Sequence, residues 1–229
     1  GTNTEQTLGA VVVNKAGTTM QLRAAFKCSS LTITAGTLDT YSTANSALTV
    51  TGGTSLAAGS GEDVATLTCG SSAVSLEAGN TGNTYGLVIE IGGTFAGGTG
   101  AHTIGSLKVA ADNANAKCTL TSGVTTMDGE HGSDNYILNI TGAASGFAHG
   151  SGTVTITRAS DSRIRNAGAA LALNNLIINH ASADIILASN GLTCAGNLTV
   201  TAGGFGTGAD KALTVTGQCL VNGGTLTLN

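Results

Sequence analysis

The 229-residue sequence contains no proline and no tryptophan, and aromatic residues make up only 3% of it. Proline normally supplies about 5% of a chain. Its absence points to a backbone whose N–H groups are nearly all needed for ladder hydrogen bonds. A compact globule anchors its core on aromatic side chains, whereas a thin core of Leu, Val, Ile and Ala stacked in one dimension does not need them. Charge is scarce as well: 10% of residues are charged, 9 basic against 13 acidic, for a formal net charge of -4. With no basic run, a nucleic-acid or anionic-membrane surface is not expected. No apolar stretch approaches the ~18 residues needed to span a bilayer, so membrane insertion is not expected either. The five cysteines, Cys28, Cys69, Cys118, Cys194 and Cys219, stand 25 or more residues apart. With no CxxC and no Cys/His cluster of zinc spacing, they read as small buried hydrophobes. One or two disulfides between neighbouring coils are the alternative. No segment carries a sustained helical period with capping signals, so helix is expected to be scarce.

What the chain does have is glycine, 35 residues, at a mean hydropathy of +0.24 that argues against disorder. It also has short runs alternating apolar and polar residues: VVV at 11–13, LTIT at 31–34, LTVT at 48–51, TLT at 66–68, LVI at 87–89, LKV at 107–109, TLT at 119–121, LNI at 138–140, VTI at 154–156, LII at 176–178, IIL at 185–187, LTVT at 198–201 and 213–216, and LTL at 226–228. Each reads as a strand with one buried face. Taken as one strand per coil, the steps predict an all-β fold: a single-stranded parallel β-solenoid (β-helix), right-handed, of roughly a dozen coils. At ~4.8 Å per coil the rod would be on the order of 55–60 Å long.

Three blocks recur in order. VNKA at 13–16, LTITAG at 31–36 and ALTVTG at 47–52 match INHA at 178–181, LTVTAG at 198–203 and ALTVTG at 212–217. They suggest an internal duplication of 11–56 and 176–221 within one elongated domain covering 1–229. Insertions at 39–46, 77–86, 127–135 and 205–211 are expected to emerge from one edge, with a fifth loop at 158–170. The chain opens on Gly1-Thr2-Asn3 and closes within a strand-like run, so the expectation is a segment of a longer or assembled protein.

The strings LTITAGTLDT, ALTVTGG, NLTVTAGG and NGGTLTLN resemble the degenerate β-solenoid repeats of bacteriophage virion appendage proteins and of secreted bacterial surface proteins and adhesins. The resemblance implies a structural or attachment role outside a cell or on a virion surface. The expected protein is a non-catalytic rod of a virion appendage or surface filament. Its partners would be further copies or neighbouring subunits, and a cell-surface glycan or receptor.

Two stretches are candidate contact loops. Asp128, Glu130 and Asp134 with His131 form the most polar segment, suited to a divalent cation or a glycan, but without the EF-hand pattern. A solvated loop is the competing reading. Arg158, Arg163 and Arg165 gather a third of the basic residues in eight positions. They would bind a carboxylated glycan or a neighbouring subunit, or form an ion-paired loop with Asp161. No catalytic residue, cofactor or metal ligand is assigned.

Two other functions use the same architecture. A polysaccharide lyase or hydrolase needs paired carboxylates, yet Asp112, Glu130, Asp134, Asp161 and Asp184 are scattered, and only Tyr41, Tyr85 and Tyr136 offer phenol rings. Ice binding would need the Thr-x-Thr runs to stack into one flat ladder, which Lys108, Asn139 and Glu90 interrupt.

Overall fold

The computed structural model describes residues 7–40, 45–58, 64–77, 84–111, 116–129, 134–142, 146–168 and 170–229. These residues are all-β with almost no helix. Their 23 strands form a sheet of 20 and a smaller one of 3. Every recorded strand pairing is parallel: Leu48–Val50 pairs with Val74–Leu76, which pairs with His102–Ile104, which pairs with Val124–Met127. Each strand therefore hydrogen-bonds to the third strand after it, and the chain visits three ladders in turn.

The first ladder starts at 7–8, passes through 26–28 and the four strands just named, and continues through 153–156, 175–178, 198–200 and 219–221. That is ten rungs. The second has ten as well, through 31–33, 54–56, 87–89, 107–111, 138–142, 162–166, 185–187, 204–206 and 225–227 after its start at 10–13. The third runs through 19–21, 37–39, 65–68, 93–96, 117–119 and 147–148. It resumes in the small sheet at Leu171–Leu173, Leu192–Cys194 and 213–215. Long strands such as Phe26–Asp39 serve all three ladders by running through the corners.

One strand per coil is thus corrected to three strands per circuit. A circuit takes 18 to 33 residues, from Thr19↔Thr37 to Thr54↔Leu87, and there are about ten circuits in place of a dozen. The runs that looked alike stand on different ladders: Leu198 on the first, Leu213 on the third and Leu226 on the second. The matched blocks are displaced in the same way, by one ladder each time. Val13 and Leu31 lie on the second ladder and Leu48 on the first, whereas Ile178 and Leu198 lie on the first and Leu213 on the third.

The period-2 alternation decides what lies inside. In Leu48–Val50 and Leu87–Ile89 the outer two residues are buried and the middle one is not. The inward side chains of all three ladders close around one continuous apolar core, from Val13 to Phe205. Among the described residues, Phe95 and Phe205 are the fully buried phenylalanines, and the rest of the core is largely aliphatic. Each inward Leu, Ile or Val contributes roughly 1.5–3 kcal/mol by burial.

The corners need special residues. Between the third and first ladders, Gly70, Gly98 and Gly150 stand at φ 53°, 66° and 64°. Further along the same corner, side chains form a ladder of their own. Asn175 Oδ1 accepts the Asn197 N–H at 2.9 Å, and Asn197 Oδ1 accepts the Gln218 N–H at 2.8 Å.

The insertions do not share an edge. Segment 39–46 lies between the third and first ladders, 77–86 and 127–135 between the first and second, and 205–211 between the second and third. Segment 158–170, expected to be a loop, contains the strand Ser162–Asn166.

Candidate functional site

The strand Ser162–Asn166 buries Ser162, Ile164 and Asn166 and leaves Arg163 and Arg165 on the outer face of the second ladder. On the neighbouring rung Tyr136 is opposite Arg163 and Asn139 opposite Arg165. The Arg165 Cζ lies 5.8 Å from the centroid of the Tyr136 ring, a cation–π contact. Asn139 is buried, and its Nδ2 donates to Tyr85 Oη at 2.7 Å. Tyr85, itself buried, thus covers the middle of this patch. Burial pushes the Tyr85 phenol above its ordinary value; Asp134 and Tyr136 push the same way, while the Asn139 bond and Arg165 oppose. One rung further back, Lys108 stands in line with Asn139 and pairs with Glu90 at 3.5 Å. That pair is half-exposed and contributes little to stability.

Of the residues in the two candidate contact loops, Asp134 from one and Arg163 and Arg165 from the other converge on this patch. Asp128 and Arg158 sit elsewhere, at the corner where the chain leaves Val124–Met127 and Thr153–Ile156 of the first ladder for the second. Burial raises the Asp128 carboxyl, Glu77 adds to the rise, and Arg158 opposes it. Glu130 and His131 lie outside the described residues. Tyr85, Tyr136 and Asn139 were not grouped with the arginines from sequence. Their separation along the chain hides a neighbourhood that only the three-strand circuit creates.

Two depressions mark the outer surface. One, of about 280 Å³, lies on the first ladder over Ala47, Ala73, Ala101 and Val124 beside Thr49, Ser75, Thr103 and Thr126. The other, of about 160 Å³, lies on the second ladder between Ile186 and Thr227, where Gly204 and Gly206 leave the surface without side chains and Asp184 forms a wall. Among the described residues no three His, Cys, Asp or Glu side chains are grouped to hold a metal ion.

The threonines that ice binding would need in one ladder are divided among three: Thr49 and Thr199 lie on the first, Thr32 and Thr227 on the second, Thr66, Thr119 and Thr214 on the third. A different row does form. Thr49, Ser75, Thr103, Thr126 and Thr155 follow one another on successive rungs of the first ladder. Lys108 and Asn139, which interrupt the sequence pattern, belong to the second ladder.

Comparison with protein-family models, with curated proteins and with solved structures finds no match.

Proposed function

We propose that the three ladders are the faces of a parallel, right-handed β-solenoid that serves as a non-catalytic structural rod. It would belong to a virion appendage or extracellular surface filament, with residues on its outer faces and corners making contacts to neighbours or a receptor. The observation that supports this reading most is the succession of ten rungs on each of the first two ladders around one continuous apolar core. Such a stack is stiff, grows by addition of identical units and needs no cofactor to hold its shape. The right-handed sense follows from the strong preference of parallel crossovers. The outermost described rungs leave the inward side chains Leu8, Met20 and Val221 exposed. A further rung, from the same polypeptide or from another chain, would pair the open edges and cover these side chains. The test is electron microscopy and light scattering of the purified protein at increasing concentration. End-to-end particles are expected, and a chain that stays monomeric at high micromolar concentration removes the assembly part.

A second reading is favoured by the row Thr49, Ser75, Thr103, Thr126 and Thr155. Uncharged and small, it sets one hydroxyl every ~4.8 Å next to a line of alanines. This is the kind of surface that orders water into a lattice, and an ice-binding rod would use it. Thermal hysteresis that disappears in Thr103→Lys would support it; a normal freezing curve removes it. A polysaccharide-cleaving rod is the remaining alternative, and turnover of a capsule polysaccharide would decide for it.

A further inference from the structure

We propose that Arg163, Arg165 and Tyr136, with the depression beside Ile186 and Gly206, form a binding site for a carboxylate-bearing polysaccharide, which rests on the reading of the chain as an attachment rod. Arg163 and Arg165 project from the same side of one strand, about 6.6 Å apart along it. The chain has more acidic than basic residues, yet among the described residues neither guanidinium has a carboxylate in ion-pair contact. Their cross-strand neighbours are Tyr136, Asn139 and Ile186, none of them acidic. Two forked, permanently charged donors thus face outward from one strand, and a guanidinium fork can take a carboxylate in bidentate fashion. The cation–π contact with Tyr136 tethers the Arg165 guanidinium to this patch.

The same row supplies room for a polymer. Arg163 is followed on the next rungs by Ile186, Gly206 and Thr227. The 160 Å³ depression lies over these last three positions, one to three rungs from Arg163 at ~4.8 Å each. A sugar lying there would meet the Ile186 side chain, the bare backbone at Gly206, and the Asp184 carboxylate as an acceptor for hydroxyl groups. The acid group of an adjoining sugar would then reach Arg163 and Arg165. Other charges bear on the patch. Asp161, exposed two residues before Arg163 on the same outward side, accepts the Asp184 N–H at 2.9 Å, so these two acids flank the row on the side away from Arg165. Asp134 acts at its Tyr85 end, and Lys108 is held by Glu90. An anionic glycan is therefore directed to the arginine end of the row.

Oligogalacturonate and its fully methyl-esterified form, which differ in charge and little in shape, are the probes, measured by isothermal titration calorimetry. The acid form is expected to bind and the ester not to. Arg163→Ala and Arg165→Ala should each weaken binding about ten- to hundredfold, as loss of a charged hydrogen bond does. Arg163→Lys should recover part of that loss. Both arginines are outward, so circular dichroism should show the variants folded. Absence of binding by the acid form, equal binding of the ester, or unchanged affinity in both alanine variants would overturn the proposal. Self-association measured on the same samples keeps the two readings apart: glycan binding by a protein that never assembles leaves this site standing. Assembly that depends on Arg163 and Arg165 without glycan binding defeats it.

Discussion

His102 occupies an inward position of the first ladder, between Val74 and Thr125, with its ring edge-on to Phe95 at 5.8 Å. Neither ring nitrogen has a hydrogen-bond partner among the described residues, and burial lowers its pKa to about 4. The unfolded chain binds that proton near the ordinary value of 6.5. Between these two values the unfolded state holds more protons than the folded one, so stability must fall as pH falls from 6.5 and level off below about 4. The full loss is about 3 kcal/mol. In His102→Leu that part of the acid limb should vanish; urea midpoints of both proteins at pH 7 and 4.5 would show it. An unchanged acid limb would assign the effect to other groups. Thiol chemistry offers a second check at the same scale. All five cysteines are free, and only Cys219 is exposed. Burial raises the pKa of Cys28, Cys69 and Cys118, and that of Cys194 to about 11. A thiolate-specific reagent should therefore modify one thiol quickly in the native protein and five after denaturation. A second fast thiol would contradict the burial assigned here.

The corner between the third and first ladders is an element with a strict requirement. A Cβ on Gly98 would run into the carbonyl oxygen of Gly70 on the rung before, and Gly98 also stands at φ +66°. Gly17 has almost the same φ, +64°, but nothing within 4 Å of a Cβ. Gly17→Ala should cost about 1 kcal/mol, the price of the left-handed backbone alone. Gly98→Ala should cost clearly more, because backbone on two rungs must separate, and thermal unfolding of both variants would measure the difference. Equal losses would mean that the corner relaxes freely. Corners of this kind also explain what sequence could and could not reveal. Alternation in LTVT and LNI made the inward residues legible, since Leu48, Val50, Leu138 and Ile140 are all buried. Rungs such as Thr54–Leu56, His102–Ile104 and Ser162–Asn166 were missed because each places a polar residue inward: Thr54, His102, or Ser162 and Asn166. Three residues are too few for a period to outvote such an exception. Missing Ser162–Asn166 turned a strand bearing two outward arginines into an apparent loop, and so hid the patch around Tyr136.

At the scale of the molecule, a stack in which each rung touches only its neighbours distributes stability along one axis. Two effects compete over where it opens first. The middle carries buried polar atoms without partners among the described residues, on Thr54, His102 and Thr125, each costing roughly 1–3 kcal/mol. The outermost described rungs lack a covering neighbour: Cys219–Val221 is exposed throughout, and Thr7–Gln21 has Val13 as its one buried residue. A missing neighbour forfeits about half the burial of the rung's inward side chains, each worth roughly 1.5–3 kcal/mol when fully buried. Opening the middle would also have to break interfaces on both sides. The outer rungs should therefore open first, in spite of the flaws inside. Hydrogen exchange followed by mass spectrometry should show 7–21 and 213–227 losing protection earliest and the rungs from Leu48–Val50 to Thr153–Ile156 last. Early exchange centred on His102–Ile104 would show instead that the unpartnered polar atoms divide the stack into two cooperative halves.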